Sequence, residues 1–201
     1  LILNIDNSFF YQHYKSIETK GLIIKSNNSR GVMIKGYDKY DKNHYLFNSI
    51  NMGALIQNPK SEILIGDSLA NEMNLNVGDK VKIAIPKTDK TILGNIPRFK
   101  TLEVVGVFDL GLYEYDSNLI FLSSELVRKL LLYDEDIYNK IEFFTSSPNE
   151  IELFKNKVEL ETSNLLLNFY SISWKDQNKT LINALKAVSY THLTLPTIDP
   201  V

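Results

Sequence analysis

The sequence contains no cysteine and only three histidines in 201 residues. The lack of cysteine excludes disulfides, thiolate nucleophiles and cysteine-ligated zinc or iron–sulfur sites. No apolar run reaches the roughly 18 residues that a membrane-spanning helix needs, so we expect no such helix within the chain. Neither the Gly-x-x-x-x-Gly-Lys-Ser/Thr motif nor Gly-x-Gly-x-x-Gly occurs, which excludes nucleotide binding by those two routes.

The charges are nearly balanced, with 22 basic and 24 acidic residues and a formal net charge of −2. A nucleic-acid surface would need a clear basic excess, so we expect no nucleic-acid partner. Hydrophobic residues make up 44% and charged residues 23% of the chain, as in ordinary globular proteins. The length fits one large domain or two small ones.

The residues that could bind metal ions are poorly spaced for that purpose. His13, His44 and His192 lie far apart, and none forms a His-x-x-x-His pair. Asp134, Glu135 and Asp136 lack the ligand spacing and the glycine of a calcium loop, so we interpret them as a solvated turn. We therefore expect no metal and no cofactor.

The hydrophobic pattern predicts strands and helices in mixed order. Strands are expected at residues 21–25, 31–36, 62–65, 81–85, 102–108, 119–122 and 141–144. Helices are expected after Asp67 or Ser68, from Ser123 to about Leu132, from Pro148 to about residue 159, and from Trp174 to about residue 185. Ser68 is interpreted as a helix cap. Hairpins and isolated helices in this order favour an α+β fold over repeating βαβ units.

Residues 66–69, Gly-Asp-Ser-Leu, follow a predicted strand and open a helix, as the nucleophile of a GDSL-type esterase does. Such an enzyme also needs a base, an orienting carboxylate and oxyanion donors. The one Asp-x-x-His match, Asp41 to His44, precedes Ser68, and only His192 follows it. An esterase using Ser68 is therefore kept as a remote alternative.

The sequence Tyr113-Glu114-Tyr115-Asp116 pairs two aromatic side chains with two carboxylates. In an extended segment, residues two apart share one face. We expect Glu114 and Asp116 to face water together, and an acid–base pair is the alternative.

Three stretches, in order, resemble one family. They are ILIGDSLANEMNLNVGDKVKIAIP (residues 63–86), GNIPRFKTLEVVGVFDLGLYEYDSNLIFLSSELVRKLL (94–131) and SWKDQNKTLINALK (173–186). Together they resemble the periplasmic domain of the LolC/LolE permeases, which release lipoproteins from the inner membrane. SRGVMIKGYD (29–38) resembles an earlier segment of that domain. The first stretch is shared with MacB-like periplasmic domains in general, whereas IPRF and YEYDSN point to the lipoprotein branch.

The resemblance implies a MacB-like periplasmic domain. Residues 1–60 with 135–187 would form a mixed α/β core subdomain, and residues 61–134 an inserted β-rich subdomain. Transmembrane helices are expected before Leu1 and soon after Lys186. Residues 188–201, VSYTHLTLPTIDPV, resemble translated sequencing-adaptor read-through and are expected to be non-native.

The resemblance also implies a non-catalytic transporter subunit in the inner membrane, with this segment in the periplasm. Its partners would be a cytoplasmic ATPase subunit, a second permease subunit in a homo- or heterodimer, acylated lipoprotein cargo and a LolA-like periplasmic chaperone. A MacB-like efflux or cell-division permease domain is the alternative within the same fold. Whether the chain is of the LolC type, the LolE type or combines both stays open.

In the LolC type a protruding loop binds the chaperone, and the corresponding loop here spans residues 86–100. Pro86 is expected to end the preceding strand, because proline cannot donate to a ladder. Apolar residues in a loop stiffened by proline and edged by basic residues are typical of a partner site. The alternative is that the apolar residues fold back onto the sheet. The predicted chaperone-binding residues are Ile92, Leu93, Ile96, Pro97, Arg98 and Phe99, with Lys100 adding to the basic edge.

Overall fold

The computed structural model describes residues 12–91, 94–145, 147–163, 170–180 and 182–184. Its strands are β1 (Gln12–Lys25), β2 (Asn28–Tyr37), β3 (Ile50–Gly53), β4 (Glu62–Gly66), β5 (Lys80–Thr91), β6 (Gly94–Phe108), β7 (Leu119–Ser123) and β8 (Lys140–Phe144). The helices are α1 (Asp67–Met73), α2 (Tyr113–Asn118), α3 (Ser124–Leu131), α4 (Ile151–Ser163) and α5 (Trp174–Gln177), with 3-10 turns at Tyr45–Ser49 and Pro148–Glu150. Among the described residues, no helix has the length and apolar character that crossing a membrane requires.

The strands form one sheet in the order β2-β7-β4-β6-β5-β1-β8, with β3 added on β6. β1 also pairs antiparallel with β2, from Ser16↔Tyr37 to Lys25↔Asn28. Each of the six strands β1, β2, β7, β4, β6 and β5 therefore pairs with two others of the set, which closes a barrel. Closure gives both edges of each of these strands a partner over part of its length.

The two faces of the sheet carry separate apolar clusters, as the two-residue period of a strand requires. On β4, Ile63 and Ile65 belong to the larger cluster, which also includes side chains of α1 and α3. Leu64, between them, belongs to a smaller cluster with Phe108 and Phe121. All five side chains are fully buried, so β4 is a central strand that is apolar on both sides.

The chain divides into two compact units, His13–Glu142 and Leu1–Gln12 with Phe143–Val201. The first contains β2 to β7 and α1 to α3. In the second, the rings of Phe143 and Phe154 pack edge to face at 5.2 Å. Ser173 caps α5 in a reciprocal capping box, which agrees with the predicted start of this helix at Trp174. The subdomain boundaries predicted from the sequence stay a prediction.

Several local predictions are confirmed. The predicted hairpin is the β1–β2 pair, with its turn at residues 26–27. Ser123 caps α3, because its Oγ accepts a hydrogen bond of 3.1 Å from the Leu126 N–H. The bulge expected near Gly106 is present, since Ile63 pairs with Val104 but the next residue of β4 pairs with Gly106. Residues 134–136 form an exposed turn, as expected.

The prediction that Ser68 caps α1 is wrong. α1 begins at Asp67, its preceding residue is Gly66, and no side chain caps this end. The cause is tertiary contact: a Cβ on Gly66 would lie 2.1 Å from the Asp116 carbonyl oxygen, so α2 packs directly against this backbone. That contact fixes where the strand ends, and Ser68 becomes a half-buried residue inside the first turn.

The prediction that residues 113–116 are extended, with both carboxylates in water, is also wrong. They form the start of α2, and Asp116 is buried, with 4% exposure. Its carboxylate accepts hydrogen bonds from the Leu110 N–H at 2.9 Å and the Leu112 N–H at 3.2 Å. The Asp116 side chain therefore holds the turn that leads into its own helix.

Gly66→Ala is expected to lower the free energy of unfolding by about 2–3 kcal/mol, because the new methyl group must displace backbone atoms of α2. Urea denaturation of the 201-residue chain measures this. The matched control is Gly31→Ala, where a Cβ meets nothing within 4 Å and no loss is expected. Equal midpoints for the two variants would contradict the close approach of α2 to Gly66.

Ser123→Ala is expected to destabilise the chain by about 1 kcal/mol, because Leu126 loses its capping acceptor. Ser68→Ala removes a hydroxyl that caps nothing, so its effect should stay within about 0.5 kcal/mol. Thermal or urea unfolding of the two variants side by side tests the pair. If Ser68→Ala lowered the free energy of unfolding more than Ser123→Ala, the result would support the prediction from the sequence that Ser68 caps α1.

Candidate functional site

The segment predicted to be a loop, residues 86–100, is instead part of a β-hairpin, so that prediction is wrong. β5 and β6 stay paired out to Thr91↔Gly94. Pro86 follows Ile85 at a register shift in the ladder. Proline is tolerated at such irregularities because its missing N–H removes no regular ladder bond. The backbone of this segment therefore forms ladder hydrogen bonds, whereas the sequence analysis predicted an unpaired loop.

The hairpin continues past the strands that flank it. The recorded pairing of β5 with β1 ends at Leu22↔Ala84, and that of β6 with β4 begins at Glu103. Among the described pairings, the part of β5 after Ala84 is bonded to β6 alone. Five residue steps lead from Pro86 to Thr91, which at about 3.3 Å per residue gives an arm of roughly 16 Å. We call residues 86–97 the arm.

At the base of the arm the outer faces of β1, β5 and β6 form an open apolar groove of about 580 Å³. Leu22, Ala84 and Phe99 lie side by side across the three strands. Leu22 is 45% exposed and Phe99 is 54% exposed, so both rims of the groove are apolar and open to solvent. The groove is lined by Lys20, Gly21, Leu22, Ile24, Ala84, Ile85 and Phe99.

The two basic residues next to Phe99 differ in their surroundings. Successive strand residues alternate between faces, so Arg98 and Lys100 lie on the face opposite to Phe99. Arg98 Nη1 donates to the Lys129 carbonyl oxygen at 3.3 Å, near the C-terminal end of α3, where a cation is favoured by the helix dipole. Arg98 is half-buried, whereas Lys100 is exposed. At the base of the arm, positive charge is therefore presented to solvent more by Lys100 than by Arg98.

The predicted contact residues are only partly described. Ile92 and Leu93 lie outside the described residues, whereas the backbones of Ile96 and Pro97 belong to β6. Phe99 is exposed, as a contact residue must be. Sequence reasoning missed the contribution of β1. The sequence did contain a sign of an apolar outer face on β1. Leu22 and Ile24 alternate with the buried Ile23 in the predicted strand, so both faces of this strand are apolar.

Two residues of the esterase alternative, Ser68 and His44, lie apart, whereas His192 lies outside the described residues. Ser68 lies in α1, whose Leu69 and Ala70 pack into the larger cluster. His44 is surrounded by aromatic rings on the opposite face of the sheet, among them that of Tyr37, which belongs to the smaller cluster. The sheet separates the serine from the Asp-x-x-His histidine, so these two residues form no catalytic pair.

In sequence, the chain is similar to one group of known proteins. No protein-family model matches it. It is similar to proteins named lipoprotein-releasing system transmembrane protein LolC. With LolC of Xylella fastidiosa strain 9a5c it shares 28% identity over 122 residues, which is 59% of this chain and 29% of that one. With LolC of Buchnera aphidicola subsp. Schizaphis graminum it shares 25% over 178 residues, or 87% and 43% of the two chains. The chain thus spans less than half the length of these curated relatives.

The fold resembles two solved domains. The periplasmic region of MacB from Actinobacillus actinomycetemcomitans superposes with a TM-score of 0.54, 15% identity, and 88% and 77% coverage of the two chains. The extracellular domain of the ABC-type transporter YknZ from Gram-positive bacteria gives a TM-score of 0.51, 13% identity, and 80% and 78% coverage. At these identities the likeness concerns the fold alone. The predicted resemblance is confirmed: the chain is similar in sequence to LolC proteins and has the α+β fold of MacB-type extracytoplasmic transporter domains.

Proposed function

We propose that this chain is the periplasmic domain of an ABC transporter permease that releases lipoproteins from the inner membrane and passes them to a soluble periplasmic chaperone. The observation that carries the proposal is the β5–β6 arm with an open apolar groove at its base. Similarity to proteins named lipoprotein-releasing LolC supports the choice of substrate.

The arm suits a partner-binding role for a physical reason. A paired ladder holds its residues in one conformation before the partner arrives, so less conformational entropy is lost on binding than for a flexible loop. The sequence of residues 86–97 contains three large apolar residues, Ile92, Leu93 and Ile96. We propose that these residues contact the partner together with Phe99, which is exposed, because exposed apolar surface is typical of an interaction site.

The groove extends the same surface onto the barrel. Phe99 continues the arm, and Leu22 of β1 forms the opposite rim. Aromatic side chains are enriched among the residues that contribute most to binding at interfaces. We propose that the chaperone contacts the arm and Phe99 together, with Lys100 on the other face of β6 adding positive charge.

The remaining partners belong to the whole transporter. We propose a cytoplasmic ATPase as a separate subunit, a second permease subunit in a homo- or heterodimer, and acylated lipoproteins as cargo. In this proposal the domain lies on the periplasmic side of the inner membrane and acts by protein contact and mechanical coupling. It performs no covalent chemistry, and ATP hydrolysis takes place in the partner subunit.

The double substitution Ile96→Asp with Phe99→Asp is expected to weaken binding of a purified LolA-like chaperone at least about tenfold, because two apolar contacts become charged. Isothermal titration of the 201-residue chain with the chaperone measures the dissociation constant. Leu112→Asp is the matched control: Leu112 is 57% exposed, close to the 54% of Phe99, but lies outside the arm and the groove.

Urea unfolding of each variant checks that the domain is intact. Unchanged affinity of the double variant would reject the arm as the binding site. An equal loss in the Leu112→Asp control would do the same, because it would place the contact elsewhere. A wild-type chain that binds no such chaperone would favour the efflux alternative within the same fold.

A further inference from the structure

A cluster of aromatic rings encloses His44 on the sheet face opposite to α1 and α3. The imidazole is 2% exposed. It stacks on the ring of Tyr45, the next residue, with centroids 4.7 Å apart and an interplanar angle of 28°. The other rings around it are those of Tyr14 at 4.6 Å, Tyr37 at 4.7 Å and Tyr40 at 5.1 Å between centroids.

The hydrogen bonding of His44 requires a neutral ring. Its Nδ1 accepts a hydrogen bond of 3.3 Å from the Leu46 N–H, which caps the 3-10 turn Tyr45–Ser49. A neutral imidazole that accepts at Nδ1 carries its proton on Nε2. Nε2 is buried and has no hydrogen-bond partner among the described residues. A second proton would go to Nδ1, where it would break the capping bond and face the Leu46 N–H.

The charged groups around the ring are already paired. Glu142 of β8 accepts from Lys35 Nζ of β2 at 2.6 Å and from the Tyr37 hydroxyl. Asp41 precedes the turn, and its Oδ1 accepts from the Asn43 N–H at 2.8 Å. Burial lowers the pKa of His44 to about 4, with Lys35 adding to the effect, although Asp41 and Glu142 oppose it. The net environment therefore disfavours an imidazolium.

We propose that residues 38–49, the latch segment, are released from the sheet by protonation of His44 in mildly acidic conditions, while the barrel core stays folded. Four hydrogen bonds from aromatic hydroxyls hold the segment: Tyr138 donates to Asp38, its first residue, at 2.6 Å, and three others lie close to the histidine. Tyr40 donates to the Leu122 carbonyl at 2.6 Å, Tyr14 donates to the Asn43 carbonyl at 3.0 Å, and the Tyr37 and Tyr45 hydroxyls lie 3.1 Å apart.

The larger apolar cluster on the other face contains no ionisable side chain among its buried members. The site of protonation therefore lies on the face opposite to this cluster. Opening would expose the ring of Tyr37 and the neighbouring Phe121, whose centroids lie 6.0 Å apart. The result is an apolar and aromatic surface whose exposure increases as the pH falls. This inference does not rest on the proposed transport function.

The direction of the pH effect follows from linkage. The pKa of His44 is about 4 in the closed segment and 6.5 in its unperturbed state. The open state therefore binds more protons between these values, so closure is fully favoured above about pH 6.5 and weakens as the pH falls toward 4. Between pH 7.5 and 5 the opening constant should rise about 30-fold. The pKa of Glu142 is lowered, since its charge and hydrogen-bond partners outweigh its burial, so its carboxylate stays ionised across this interval.

Hydrogen–deuterium exchange of the 201-residue chain between pH 7.5 and 5, corrected for intrinsic exchange rates, tests the latch segment. Peptides covering residues 38–49 should lose protection about 30-fold, whereas peptides from β4 and β7 should keep theirs. In His44→Asn the side-chain oxygen can still accept from the Leu46 N–H but does not titrate. The protection of residues 38–49 should therefore no longer change with pH. His13→Asn, which removes an exposed histidine, should retain the wild-type slope.

The test compares how protection changes with pH in the wild type and in each variant. A loss of protection that is equal at every pH, caused by the missing imidazole contacts, therefore does not affect the result. His44→Gln, which also carries an amide oxygen, repeats the test if the asparagine variant does not fold. Protection of residues 38–49 that does not change with pH would overturn the proposal. Equal slopes in wild type and His44→Asn would overturn it as well. A simultaneous loss of protection in β4 and β7 would show global unfolding and reject a local latch.

Discussion

β1 pairs with β2 along one edge and with β5 along the other, and this double pairing closes the barrel. Closure demands a close approach at Gly21, where a Cβ would lie 2.5 Å from Ile34 Cδ1 and 2.7 Å from the Ala84 carbonyl oxygen. A larger residue there would push β1 away from the interior or from β5. The groove at the base of the arm depends on this contact most directly, because Gly21, Leu22 and Ala84 all line it.

The arm is a continuation of that architecture. β5 and β6 pair within the barrel and then extend past it, so the partner-binding surface that we propose is anchored in strands that contribute Val81, Ile83, Leu102 and Val104 to the buried core. In the proposed function, a contact made by the arm would reach the barrel through the paired strands β5 and β6. Such a connection suits a domain that we propose couples the release of lipoproteins to their transfer to the chaperone. A paired hairpin suits this role better than a flexible loop does.

The sequence predicted those features that depend on neighbouring residues and missed those that depend on distant ones. The Ser123 cap was readable because its partner lies three residues away. The predicted cap at Ser68 was wrong because the backbone at Gly66 packs against Asp116, which is fifty residues away in sequence. Pro86 was interpreted as a strand end because a register shift leaves no local signal. The enclosure of His44 was invisible for the same reason, since its rings come from three separate segments.

The most direct test of the central claim uses the permease that we propose contains this domain, reconstituted with the proposed ATPase subunit and an acylated lipoprotein in proteoliposomes. Residues 87–96 are replaced by a two-residue Asn-Gly turn, which shortens the arm but keeps a hairpin. Transfer of the lipoprotein to a soluble LolA-like chaperone is measured together with ATP hydrolysis. The account predicts that transfer is lost while hydrolysis continues. Undiminished transfer by the shortened variant would contradict it.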